Sequence, residues 1–125
     1  MASTPHVIHI KQQHNHAVCV AALRVIISEG DGGWYAEGVE IDYAAFGQTI
    51  EEVQLNFELG FIRTIHLHIA KFGNLNKFIK WAPQSVLEKL PQSKPYKIDT
   101  FSTHNIEVES VLPISSINYL QLSVA

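Results

Sequence analysis

The sequence predicts a single α+β domain: an antiparallel β-meander crossed by one long helix, in the order β-β-β-α-β, with a C-terminal β-hairpin extension. Three observations predict it. Apolar, strand-like runs crowd the first third of the chain and are separated by a glycine-rich turn. A capping signature at Thr49 opens a stretch with apolar residues at helical spacing. Short alternating runs return near the C-terminus. The length of 125 residues suits one domain, with residues 17–73 as its core and 74–125 as an extension that completes or covers the sheet. Hydrophobic residues at 46% supply a core, and charged residues at 17% are too few for a disordered polyelectrolyte.

Taken in order, the first sixteen residues hold a short apolar piece, Val7-Ile8-His9-Ile10, expected as an edge strand. Residues 18–28, rich in Val, Ile, Leu and Ala, read as one long strand. Gly30, Gly32 and Gly33 tolerate the positive φ that a tight hairpin connection needs. Trp34, Tyr35 and Ala36 begin the second strand, and a third is expected around residues 41–45, ending near Gly47. At Thr49 the hydroxyl can accept from a first-turn N–H, and Glu52 can reach back three residues to complete a capping box. Glu51 and Glu52 also suit the positive end of a helix dipole. Ile50, Val53, Phe57, Phe61, Ile65 and Ile69 then recur at helical spacing, although residues 53–61 also alternate at period two. Length and cap favour the helix, because strands seldom run to about twenty residues. Leu55, Leu59 and Ile62 form a second stripe beside the main one, to be covered by the C-terminal segment or by a second subunit. Gly73-Asn74 stops the helix. Residues 77–81 are expected as a helical turn or short strand, Pro83 as the start of a brief helix ending before Pro91, and residues 92–104 as a loop with a little strand. Residues 105–111 and 118–124 form the expected terminal hairpin.

Residues 25–69 resemble the HicB family of antitoxins. The resemblance rests on Gly33-Trp34-Tyr35-Ala36-Glu37, of the form G-Y-x-A-x, and on Gly47-Gln48-Thr49-Ile50-Glu51-Glu52, of the form G-x-T-x-x-E. It implies a partial ribonuclease H fold in which Gly33, Gly47, Thr49 and Glu52 are structural. It also implies a role: HicB proteins cover a small RNA-cleaving toxin, HicA, and many carry a separate DNA-binding segment. This chain departs from the family pattern in three places. Val39-Glu40-Ile41-Asp42-Tyr43-Ala44 replaces the usual proline-containing stretch, and Val53 replaces the alanine after Glu-Glu. The C-terminal portion carries no helix-turn-helix or ribbon-helix-helix pattern.

Chemistry-bearing patterns are sparse. Of the seven histidines, His14 and His16 share a face on an extended segment, whereas His66 and His68 diverge on a helix, so no metal site is predicted. Residues 18–28 hold no carboxylate, so the metal-binding acidic set of a nuclease is not predicted either. Cys19 sits in an apolar run and reads as a buried small hydrophobe. No catalytic residue and no cofactor is predicted. No leader pattern and no stretch of ~20 apolar residues appears, so the sequence predicts a cytoplasmic protein without membrane attachment.

The leading expectation is therefore a non-catalytic, homo-oligomeric binding protein that sterically neutralises a small basic, HicA-like toxin. Asp31, Trp34, Glu37 and Glu40 are the expected exposed contact residues, and the net charge of −3 suits a basic partner. The second expectation is a regulator that binds nucleic acid or a ligand without a toxin. Lys71, Lys77, Lys80 and Trp81 would supply its stacking and phosphate contacts. A metal-dependent nuclease is the third.

Overall fold

In a computed structural model that describes residues 7–12, 15–20, 22–101 and 115–122, seven strands and one long helix form an α+β fold. Strands β1 (Val7–Gln12) and β2 (Asn15–Val20) make a two-stranded antiparallel ribbon. The main sheet has five strands in the order β5-β4-β3-β7-β6. They are β3 (Leu23–Gly30), β4 (Gly33–Gly38), β5 (Ala44–Gly47), β6 (Ser93–Phe101) and β7 (Ser115–Leu122). All neighbours are antiparallel except β3 and β7, which run parallel with Leu23 opposite Ile117.

Helix α1 (Ile50–Phe72) packs across one face of this sheet. Thr49 is its N-cap, with Oγ1 accepting from the Glu52 N–H at 3.0 Å, and Gly73 closes it at φ 72°. Val53, Phe57, Phe61, Ile65 and Ile69 point down onto Leu23, Val25 and Ile27 of β3, Ala36 of β4, and Ile117 and Tyr119 of β7. Spacing by four residues drifts about 40° per step around a helix, so this row runs obliquely and follows the sheet's twist. The opposite face is covered by α2 (Gln84–Leu87) and a 3₁₀ turn at Leu90–Gln92, with Ala82, Val86, Leu87 and Leu90 around Ile26, Val39, Leu120 and Leu122. Strand β3 is thus covered on both faces, which explains its nearly unbroken apolar run.

The expected α+β arrangement, with one long helix laid on the sheet, is the observed one, and two details differ. The run at residues 18–28 is not one strand, because Ala22 takes φ 52° and divides it into β2 and β3. The third strand is Ala44–Gly47, starting within 41–45 and ending at Gly47 as expected. Val39, Glu40 and Ile41 fold inward before it. Residues 93–101 form a nine-residue strand where a loop with only a little strand was expected, and they supply the antiparallel partner of β7. Leu75 O accepts from the Phe78 and Ile79 N–H groups, a single helical turn that overlaps the expected 77–81, and no residue of that span is in a strand. A strand at 105–111, the pairing of His14 with His16, and the burial of Cys19 concern residues or side chains outside the described part.

Candidate functional site

Strand geometry settles where the four expected contact residues sit. Successive side chains alternate between faces, so Trp34 and Glu37 of β4 point to opposite sides of the sheet. Trp34 packs against the core under α1. Glu37 is half-buried on the other face, where its Oε1 accepts from Lys89 Nζ at 2.5 Å. Glu40 is only 7% exposed. Its Oε1 accepts from the Arg24 backbone N–H at 2.8 Å and its Oε2 from Arg24 Nε at 2.6 Å. The expectation of an exposed Glu40 is therefore corrected: it holds the chain after β4 onto β3. Asp31 is the one of the four that is exposed. It occupies the β3–β4 turn at φ 53° and accepts a hydrogen bond from the Tyr35 hydroxyl. That bond, then burial and the negative charges of Asp31 and Glu37, raise the Tyr35 pKa above its ordinary 10.0. The four do not form one patch.

The motif residues do come together. A Cβ at Gly33 would lie 2.5 Å from the Gly47 carbonyl oxygen, and one at Gly47 would lie 2.6 Å from the Val53 nitrogen. Trp34 pairs with Gly47 across β4 and β5. The two glycines thus allow the first turn of α1 to press on the end of β5, while Thr49 caps that turn.

Exposed surfaces lie at each end of α1. At about 100° per residue, Glu51, Glu52, Leu55, Glu58, Leu59 and Ile62 fall on one arc of the helix. Leu55 and Leu59 are 56% and 44% exposed, uncovered by any described residue of the extension. At the other end, Lys71, Lys77, Lys80 and Trp81 are all exposed. The Phe72 ring holds Lys71 Nζ at 5.4 Å and Lys77 Nζ at 4.5 Å from its centroid. Phe78, in contrast, is buried against Phe61, Tyr43 and His68. The aromatics of this region therefore divide between core and surface, as the letters alone did not say.

Along the edge strand β6 runs an almost wholly apolar groove of about 560 Å³, bordered by Pro95, Tyr96, Ile98 and Leu120. It lacks the converging polar groups that orient a small ligand. Among the described residues, no three His, Cys, Asp or Glu side chains converge as metal ligands would. His66 and His68 lie on α1, and the His68 ring packs against Phe72 and Phe78 at 5.4 and 5.5 Å. Among the described residues, no helix is long and apolar enough to cross a membrane. The Arg24–Glu40 and Lys89–Glu37 pairs had no sequence signal, since their members lie 16 and 52 residues apart. The glutamates flanking Leu55 and Leu59 could have been found by placing residues 51–62 on a helical wheel. Compared with protein families, with curated proteins and with solved structures, the chain matches none.

Proposed function

We propose that this chain is a HicB-like, non-catalytic binding protein that neutralises a small basic RNA-cleaving protein by covering its working surface. The observation that carries this reading is the pair of uncovered leucines, Leu55 and Leu59, set among Glu51, Glu52 and Glu58 on one arc of α1. An apolar centre with an acidic rim is the complement of a basic protein surface. It combines area removed from water with charges that speed encounter. The β3-β4-β5-α1 order, with β7 returning parallel to β3 after the interposed strand β6, supports the family resemblance, as do the positions of Gly33, Gly47 and Thr49. Homo-oligomerisation is part of the same proposal.

Co-expression with a short basic protein, if one is encoded beside this chain, tests it. The two chains should co-purify and the partner's ribonuclease activity should vanish. Leu55→Glu combined with Leu59→Glu places charge in the apolar centre while leaving the buried row of α1 intact. It should release the partner and weaken the complex by about 100-fold or more. Complete neutralisation by this double variant would sink the proposed surface. Failure of any small basic protein to travel with the wild-type chain would sink the role.

A further inference from the structure

We infer that the segment closing α1 and leading to the far face of the sheet, residues 71–81, is a binding site for single-stranded nucleic acid, separate from the acidic face of α1. The first ground is charge segregation. From residue 59 to residue 87 the sequence holds Arg63, Lys71, Lys77 and Lys80 and no carboxylate, in a chain with 12 acidic and 9 basic residues. The remainder is correspondingly acidic, so the net charge of −3 conceals a positive region. Lys71, Lys77 and Lys80 are exposed, and among the described residues none of them has a carboxylate partner. The C-terminal end of α1 offers only about half a negative charge against these three. A local positive field therefore survives.

The second ground is the aromatic surface within that field. Trp81 is 53% exposed and Phe72 37%. Phe72 already gathers two ammonium groups over its ring, while Trp81 presents an uncovered indole four residues after Lys77. Those four residues span at most about 14 Å, the reach of two or three nucleotides of extended strand. Cations that meet phosphates beside a ring on which bases stack make the arrangement of a single-strand site. A duplex would hide its base faces from Trp81, and three lysines would neutralise few of its phosphates.

The third ground is that the segment is pinned. Leu75 and Phe78 are buried, and their neighbours in the chain carry the exposed side chains. The Asn74 Oδ1 accepts from the Asn76 N–H at 3.0 Å, and Leu75 O accepts from the Phe78 and Ile79 N–H groups at 2.9 Å. Beyond Trp81, the Ala82 N–H donates to Val39 O at 2.9 Å. The lysines and rings therefore sit on a fixed frame, which lowers the ordering cost of binding.

Fluorescence anisotropy of a labelled oligo(dT) about 12 nucleotides long, titrated with the isolated chain, tests the inference. With three lysines at three phosphates, the log–log salt slope should be close to −2, or a roughly 20-fold loss from about 50 to 200 mM salt. Trp81→Ala should weaken binding at least about fivefold with the slope unchanged. Lys77→Gln with Lys80→Gln should flatten the slope to about −0.7. Circular dichroism checks the fold of each variant, and the lysine pair carries the test if Trp81→Ala is unfolded. Leu55→Glu should leave oligonucleotide binding unchanged, so this result and the partner experiment fail independently. No binding at about 50 mM salt, or a slope near zero, would overturn the inference. So would displacement by duplex of equal length, by polyglutamate or by anionic vesicles as effective as displacement by oligo(dT). The last two results would reassign the patch to an acidic protein or a lipid surface.

Discussion

Glu40 shows how a single buried carboxylate can be mistaken for a contact residue. In sequence it stands among Glu37, Asp42 and other acidic residues near the turns, and nothing local separates it from them. In the fold both of its oxygens are engaged by Arg24, at 2.8 and 2.6 Å, and almost none of it meets solvent. Removing an acceptor from a buried donor costs more than losing an exposed ion pair, because the orphaned N–H cannot turn to water. Glu40→Ala should therefore destabilise the protein by about 2 kcal/mol in urea unfolding. Glu40→Gln should cost less, since an amide oxygen still accepts from the Arg24 N–H. A loss below about 0.5 kcal/mol for the alanine variant would return Glu40 to the solvated carboxylates. Tyr35 gives a pH counterpart. Its hydrogen bond to Asp31 favours the neutral phenol, so the folded-state pKa lies above the ordinary 10.0. The stabilisation is present below that value and is lost as pH rises through the raised folded pKa. Asp31→Gly suits the φ of 53° and removes the acceptor. It should bring the Tyr35 transition back toward 10.0 in an ultraviolet titration, visible in the difference from wild type. An unchanged titration would show that the bond does not govern Tyr35.

Among the elements, the junction between β5 and α1 was legible because its determinants are local. Thr49, Glu51 and Glu52 announce a helix start within four residues, and the start is there. The close approach of Gly47 to Val53 belongs to the same junction but depends on how the helix lies on the sheet. The two contributions separate experimentally. Thr49→Ala removes one cap hydrogen bond and should cost about 1 kcal/mol. Gly47→Ala forces a methyl to 2.6 Å from the Val53 nitrogen, which belongs to the backbone of the first turn and itself donates to Thr49 O at 3.0 Å. It should cost roughly 2–3 kcal/mol, since the helix must lift from β5. A milder effect for Gly47→Ala than for Thr49→Ala in thermal unfolding would mean that the cap alone sets the junction. Other elements were hidden for equally physical reasons. Ala22 adopts a left-handed φ inside an apolar run, where no glycine or proline marks the break. Strand β6 reads as a loop because Lys94, Pro95 and Lys97 break any alternation. Among the described residues it pairs on one side only, tolerates a proline and absorbs a register shift between Pro95 and Lys97.

At the scale of the whole molecule, the uncovered leucines could be counted in advance, because the helical period exposes a second stripe. The separation of Trp34 from Glu37 follows from strand alternation, whereas the capture of Glu40 by Arg24 required the tertiary fold. The same is true of the link that closes the sheet. Leu23 pairs with Ile117, so the meander at the start of the chain is completed by a strand from its end. Strand β7 contributes Ile117 and Tyr119 at 0% and 1% exposure, and the Tyr119 hydroxyl donates to Glu58 Oε2 on α1 at 2.7 Å. It also provides the described pairing of β6. Truncating one large buried side chain costs about 2–5 kcal/mol, whereas a whole domain is stable by only about 5–15 kcal/mol. Losing both side chains, together with the ladder on either side of β7, should exceed that margin. A chain ending at residue 114 should therefore show no cooperative thermal transition by circular dichroism, although β3, β4, β5 and α1 remain in its sequence. Ile117→Ala should lower the full chain's stability by about 2–5 kcal/mol without abolishing the transition. A sharp melt in the shortened chain would mean that the meander and helix hold together without β7, and that the parallel pairing with β3 is an addition to the core rather than part of it.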